Sequence, residues 1–342
     1  MRARERGEFP ERRRRKLDAG TTCLVLLAQA ILGLPSLLSM VAWLADHAQG
    51  GRLAKLELPV VSEAAITRAV RRVDPGWLAE EMCRWVSELP VAVWNRLPGE
   101  VREVFRSDGS WFRATPKMTF AAWQDAAHRA LKVVASLSRS GAIRVRVAAG
   151  NASERELLLS QVQRGDLHIV DRGYPSLTFF WRLHDLGAFF VSRLSRSWNP
   201  LTIKEAVLTH ADRQYGIVSD TVALVVGRGL EAFTLRIVTF QDPAGRTYRF
   251  ATNLFKLSAP EIADLYRERW RIEILFRFVK QFVGARLTVR DQQACDARLL
   301  AVFMAAVLLI LLLAMRTPTV TPEPNVRWLR RVRAALEQMG SG

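Results

Sequence analysis

The chain has 342 residues, 49% of them hydrophobic, and is long enough to bury a sizeable core in one large domain or a few smaller ones. Its 50 Lys and Arg against 33 Asp and Glu give a formal charge of +17, which favours a polyanionic partner, unless an arginine-rich proteome alone explains it. The three cysteines form no CxxC pair and the five histidines form no HExxH or HxH pattern, which argues against a zinc site and a disulfide framework.

The N-terminal third is predicted to be a basic arm followed by helices. Residues 1–20 are Arg-rich, and apolar periodicity recurs over 53–58, 64–70 and 77–89 between prolines. Two charge-free apolar runs, 21–45 and 299–315, could be read as membrane segments. The first is interrupted by Gly33 and Pro35, and the second has about 17 residues, which is short for a bilayer. We predict two short helices in the first run and one core helix in the second.

Strands and helices alternate in the middle of the chain. Patterning predicts strands at 101–113, 143–148, 167–170 and 188–193, with helices at 121–134, 154–163 and 178–186. This alternation indicates an α/β core. Residues 221–226, 233–240 and 246–252 then read as strands of a β-rich insertion. A long helix follows from Pro260 to Val283, then the apolar helix 296–315 and a basic tail.

The long helix carries the strongest chemical signal. At about 100° per residue, Tyr266, Arg269, Glu273 and Lys280 fall on one stripe about 60° wide, with Arg277 beside it. One carboxylate in a row of cations is either a surface ion-pair ladder or a metal-binding acid flanked by groups that hold phosphates.

Further acids at strand ends would complete a metal site, since two-metal phosphoryl transfer needs about three carboxylates. Asp171 closes the strand 167–170, and Asp108 lies on the first core strand before Gly109. Each could instead be a turn-forming Asp. Asp166 and Asp185 are weaker candidates, because one precedes its strand and the other ends a helix.

These residues carry a resemblance to a known family. The pattern Y-x2-R-x3-E-x6-K formed by Tyr266, Arg269, Glu273 and Lys280 resembles the signature of YREK-type DDE transposases, the IS-four family of bacterial insertion sequences. Residues 252–254, the Ile-Val-Asp-Arg-Gly-Tyr block around Asp171 and the Asp108-Gly-Ser block are also similar to that family. The likeness covers roughly residues 100 to 310 and is most specific at the long helix.

The resemblance implies a catalytic triad of Asp108, Asp171 and Glu273 that binds two Mg²⁺ ions, for which Mn²⁺ can substitute. It implies an α/β fold with a ribonuclease-H-like core, a β-rich insertion between the second and third acids, and a helical N-terminal region in front. The implied division is a basic arm at 1–20, helices for DNA binding or dimerisation at 21–100, core at 101–193 and 257–316, insertion at 194–256, and a basic tail at 317–342. Phosphates of the DNA would be held by Tyr266, Arg269, Arg277 and Lys280.

The implied reaction is cut-and-paste transposition: metal-dependent cleavage at transposon ends and strand transfer into target DNA. The expected partner is double-stranded DNA, bound by a homodimer in the bacterial cytoplasm at the nucleoid, with no membrane. No Trp occurs between Trp198 and Trp270, so Tyr248 or Phe250 would have to stack a flipped base. The alternatives are a nuclease with the same core that does not join ends, a membrane-associated basic protein without catalysis, and an inactive copy.

Overall fold

The computed structural model of the chain describes residues 17–32, 34, 37–47, 59–78, 80, 97–115, 118–123, 129–139, 142–195, 197–198, 200–227, 229, 231–283 and 291–316. Residues 1–16 of the predicted basic arm, the periodic stretch 53–58, most of 77–89 and the basic tail lie outside these residues. The described strands are β1 (Glu103–Ala114), β2 (Ala122–Trp123), β3 (Arg129–Ser138), β4 (Ile143–Ala149), β5 (Asp166–Val170), β6 (Phe189–Arg193), β7 (Leu201–Glu205), β8 (Ile217–Val225), β9 (Phe233–Gln241) and β10 (Thr247–Thr252).

All these strands belong to one mixed sheet, in the order β2-β3-β1-β5-β6-β10-β9-β8-β7, with β4 also paired to β3. The pairs β1–β5 and β5–β6 are parallel, and the remaining pairs are antiparallel. Strand β5 is buried along its whole length, as expected for a parallel strand covered on both faces. Strand β10 pairs with β6, so the β-rich segment continues the same sheet.

The predicted helix at 121–134 is wrong. Most of that segment belongs to β2 and β3, and β3 runs from Arg129 to Ser138 between β1 and β4. Almost every residue of β3 is buried, and its apolar residues do not alternate strictly with polar ones, since polar Lys132 and Ser136 are buried among them. Periodicity alone cannot separate such a strand from a buried helix.

The described helices are α1 (Ala19–Leu32), α2 (Leu37–His47), α3 (Glu63–Val70), α4 (Glu154–Leu159), α5 (Leu177–Asp185), α6 (His210–Tyr215), α7 (Ala259–Arg267), α8 (Trp270–Val283) and α9 (Gln292–Arg316). The apolar run 21–45 thus holds two helices, α1 and α2, as its sequence predicts. In the part of the chain that the structure describes, no helix is both long and apolar enough to cross a membrane.

Helices cover both faces of the sheet. On one face α4 and α5 pack against side chains such as Val134 of β3 and Val170 of β5. On the other face α7 packs against Leu167 and Ile169 of β5, while α8 and α9 share a core with Ala135 of β3. The ends of β1 and β5 therefore lie under α7 and α8.

The single long helix predicted from Pro260 to Val283 is also wrong, because two helices replace it. Helix α7 ends at Arg267 and α8 begins at Trp270. At the junction the amide of Glu268 bonds to the carbonyl of Leu265, and the amide of Arg269 bonds to that of Tyr266, so the last turn tightens. The stripe calculated for an uninterrupted helix does not continue across this break.

Candidate active site

Asp108 and Asp171 lie level with each other on neighbouring strands. Strands β1 and β5 are parallel, and their last paired residues are Arg106 and Ile169. Asp108 and Asp171 each come two residues later, and side chains two residues apart point to the same face. Because Ile169 packs in the core beneath α7, both carboxylates face the helices α7 and α8.

On the opposite face of the sheet, a buried polar network links β1 to its neighbours β3 and β5 and so helps to fix the alignment of β1 with β5. The Ser107 hydroxyl lies 2.9 Å from Ser136 Oγ on β3 and 2.9 Å from His168 Nδ1 on β5. Asp166, one of the weaker candidates, is paired with Arg144 and lies close to His168, so it belongs to this network. Asp185, the other weaker candidate, is exposed at the end of α5.

Helices α7 and α8 and the junction between them bring three of the predicted residues to this edge. A capping box of Ser258 and Glu261 starts α7. The Tyr266 hydroxyl at its end donates a hydrogen bond of 2.9 Å to Asp171 Oδ1. Arg269 Nη2 donates to Glu273 Oε1 at 2.6 Å, and its Nη1 lies 4.0 Å from Asp171 Oδ2. The guanidinium thus bridges the second and third predicted acids.

Two predicted phosphate-binding residues lie farther along α8. Arg277 is exposed, with its guanidinium carbon 5.8 Å from the ring centroid of Trp270. Lys280 is exposed seven residues after Glu273, a rise of about 10 Å at 1.5 Å per residue. The structure therefore groups Tyr266 and Arg269 with the acids, and it leaves Arg277 and Lys280 on the adjoining surface.

The two aspartates have opposite electrostatic surroundings. Burial raises the pKa of Asp108 to about 6, and the charges of Glu154 and Asp171 act in the same direction. Among the described residues, the only hydrogen-bond donor to its carboxylate is the neighbouring amide of Gly109. Burial also raises the pKa of Asp171, but the Arg172 amide, Arg269 and Tyr266 outweigh it and hold that pKa below its usual value.

Sequence reasoning missed a second acid beside Asp108. The carboxylate of Glu154, at the start of α4, lies against Gly109, where an added Cβ would sit 2.5 Å from its carboxyl carbon. Glu154 accepts a hydrogen bond of 2.8 Å from the nearly buried Lys132, whose ammonium lies 3.4 Å from the Trp111 ring centroid. The only signal was Gly109 itself, since a glycine in a strand often marks a close approach.

Phe250 and Tyr248, the predicted base-stacking residues, have different surroundings. Phe250 is buried and packs against the Tyr266 ring with centroids 4.6 Å apart, so it supports Tyr266 and is closed to a base. Tyr248 is partly buried, with Arg193 over its ring at 4.8 Å.

As they stand, the described residues contain no group of three His, Cys, Asp or Glu side chains close enough to hold a metal ion. Arg269 lies between two of the three predicted acids.

Level carboxylates on neighbouring parallel strands, one within β1 and one just after β5, beside a cationic helix, could hold the divalent metals of phosphodiester chemistry. Comparison with known proteins agrees: residues 101–308 match the family described as the transposase DDE domain. The match covers more than half of the chain, which therefore belongs to this family.

Two curated relatives carry related names. A stretch of 75 residues is 45% identical to the probable transposase for insertion sequence element IS5377 of Geobacillus stearothermophilus, covering 22% of this chain and 20% of that protein. The putative transposase y4zB of Sinorhizobium fredii is 28% identical over 152 residues, 43% of each chain. The chain thus spans less than half the length of either relative.

Proposed function

We propose that this chain is a cut-and-paste DNA transposase of an insertion sequence of the IS-four family. It cleaves DNA at the transposon ends and transfers the strands into target DNA, with Asp108, Asp171 and Glu273 as catalytic acids on a ribonuclease-H-like core. The supporting observation is the level placement of Asp108 and Asp171 under the α7–α8 junction, where Tyr266 and Arg269 contact Asp171. The family match and the names of the relatives point to the same reaction class.

The donor set fits the two Mg²⁺ ions that the family implies, with Mn²⁺ as a substitute. Hard divalent cations prefer carboxylate oxygens, and Arg269 already places a cation between Asp171 and Glu273. Asp108 is a desolvated carboxylate, and among the described residues it accepts a hydrogen bond only from the neighbouring amide of Gly109. When bound, the metals polarise the scissile phosphate and lower the pKa of water.

The side chains of α7 and α8 have two tasks in this proposal. Tyr266 fixes the orientation of Asp171 through its hydroxyl. Arg269 neutralises Asp171 and Glu273, and its guanidinium would be free to donate to a DNA phosphate if these acids held metal instead. Arg277 and Lys280 extend the cationic surface along α8, so binding weakens steeply as salt increases.

The remaining assignments concern assembly. We propose that residues 21–100 bind DNA or mediate dimerisation, and that the protein acts as a homodimer on double-stranded DNA at the bacterial nucleoid. The net charge of +17 is consistent with a polyanionic partner.

The test is Mg²⁺-dependent cleavage and joining of labelled DNA that carries the element's own ends. Glu273→Gln and Asp171→Asn are expected to lose all products while they keep DNA binding, and Asp185→Asn, at an exposed helix end, serves as the matched control. Cleavage without joining would favour the nuclease. Products that persist in both acid variants would refute the assignment of the acids.

A further inference from the structure

An ion pair between buried Arg106 and partly buried Glu268 joins the strand of the first acid to the junction that precedes the helix of the third. Arg106 lies on β1 two residues before Asp108, on the same face, and is 1% exposed. Glu268 lies in the two-residue break between α7 and α8, directly before Arg269. Arg106 Nη2 donates to Glu268 Oε2 at 2.5 Å, across a separation of 162 residues in the chain.

Arg106 makes two hydrogen bonds, and these fix the orientation of its guanidinium. Its Nη1 donates to the carbonyl of Ser138, the last residue of β3, at 3.0 Å. The guanidinium therefore spans from the end of β3 to the helix junction, which a lysine ammonium could not do with two separate nitrogens. Although burial raises the pKa of Glu268, Arg106 and Arg271 hold it below its usual value, so the pair is charged at neutral pH.

The junction between α7 and α8 sets the direction in which α8, the helix of Glu273, leaves α7. The tightened turn at Glu268 determines where Arg269 and Glu273 point. A shift of about 1 Å in catalytic groups can cost about 100-fold in rate. An anchor at this point therefore controls the distance between Asp108 on β1 and Glu273 on α8.

We propose that Arg106 and Glu268 are positioning residues that lock the α7–α8 junction to β1 and so place Glu273 and Arg269 against Asp108. This inference rests on the proposed function. A merely structural ion pair would be replaceable by well-packed apolar residues, because such replacements often keep or raise stability. A positioning pair is not replaceable in this way, because apolar contacts do not fix the junction to the same point.

The experiment separates stability from catalysis in the full chain. Arg106→Met, Glu268→Leu and the double variant are compared with the parent by thermal melting, DNA affinity and single-turnover strand cleavage. Each single variant is expected to melt earlier, and the double variant to melt near the parent. Cleavage by the double variant should stay at least about tenfold slower, with DNA affinity within about twofold.

A second buried pair provides the matched control. Arg236 and Asp220 form an ion pair of 2.7 Å between β9 and β8, with both residues 8% exposed. The double variant Arg236→Met with Asp220→Leu should regain both melting temperature and cleavage. Glu268→Gln keeps the shape of the side chain and removes its charge. If the apolar double variant does not fold, this variant tests the positioning role, and it is expected to cleave more slowly at parental DNA affinity.

Parental cleavage rates in the folded Arg106–Glu268 double variant, or in Glu268→Gln, would overturn the positioning role alone. A parent without metal-dependent cleavage would overturn the proposed function, and the positioning role with it.

Discussion

The raised pKa of Asp108 makes a quantitative prediction about stability. Its pKa is about 6 in the folded protein against an ordinary value of 3.8, a difference of about 2 units. At 1.36 kcal/mol per unit, ionised Asp108 destabilises the folded state by about 3 kcal/mol. Since the folded state binds this proton more tightly, the penalty is absent below about pH 4, grows as the pH rises towards 6, and is complete above it. Asp108→Asn should therefore stabilise the metal-free protein by up to about 3 kcal/mol at pH 8, and little at pH 4.

Urea unfolding at both pH values, with chelator and then with saturating Mg²⁺, measures this effect. A cation at Asp108 offsets the penalty, so Mg²⁺ should stabilise the parent and have little effect on Asp108→Asn. Asp296→Asn is the matched control, because burial also raises the pKa of Asp296 to about 6, on α9. This variant should show the same pH dependence but keep the full response to Mg²⁺. If Asp108→Asn is no more stable than the parent at pH 8, the assigned desolvation of Asp108 is wrong.

Three further substitutions test the surroundings of the acids. Gly109→Ala should lower both the melting temperature and cleavage, because the new Cβ would lie 2.5 Å from the Glu154 carboxyl carbon and displace it; parental behaviour would refute that contact. Tyr174→Phe should keep or raise stability by up to about 1 kcal/mol in chemical denaturation, since it removes a buried hydroxyl that has no hydrogen-bond partner among the described residues; a clear loss of stability would show that this hydroxyl does form a hydrogen bond. Tyr266→Phe removes the bond to Asp171 and should slow cleavage about tenfold at unchanged DNA affinity, whereas weaker DNA binding with unchanged cleavage would move Tyr266 to the phosphates.

The sequence pattern predicts well those elements that are defined by residues close together in the chain. Strand β5 and helix α5 begin and end close to their predicted positions, because short apolar runs and a Ser176 cap define them. Strand β3 was mistaken for a helix because it is covered on both faces and shows no alternation. Strand β7 was not predicted, since it has only five residues, all of them exposed, and its only apolar side chains are Leu201 and Ile203.

The candidate site shows where sequence reasoning ends. The types and spacing of Tyr266, Arg269 and Glu273 could be read directly, because they lie within eight residues of one another. Their partners could not, because the bond from Tyr266 to Asp171 spans 95 residues. The helix break beside them is also invisible to periodicity, since no Gly or Pro marks it. The break lies at Glu268, which pairs with Arg106 on the distant strand β1. A tertiary contact therefore accompanies the break, whereas helix propensity alone predicts that the helix continues through these residues. The sequence can thus propose the three acids, while the surroundings of each acid depend on which distant side chains it meets in the fold.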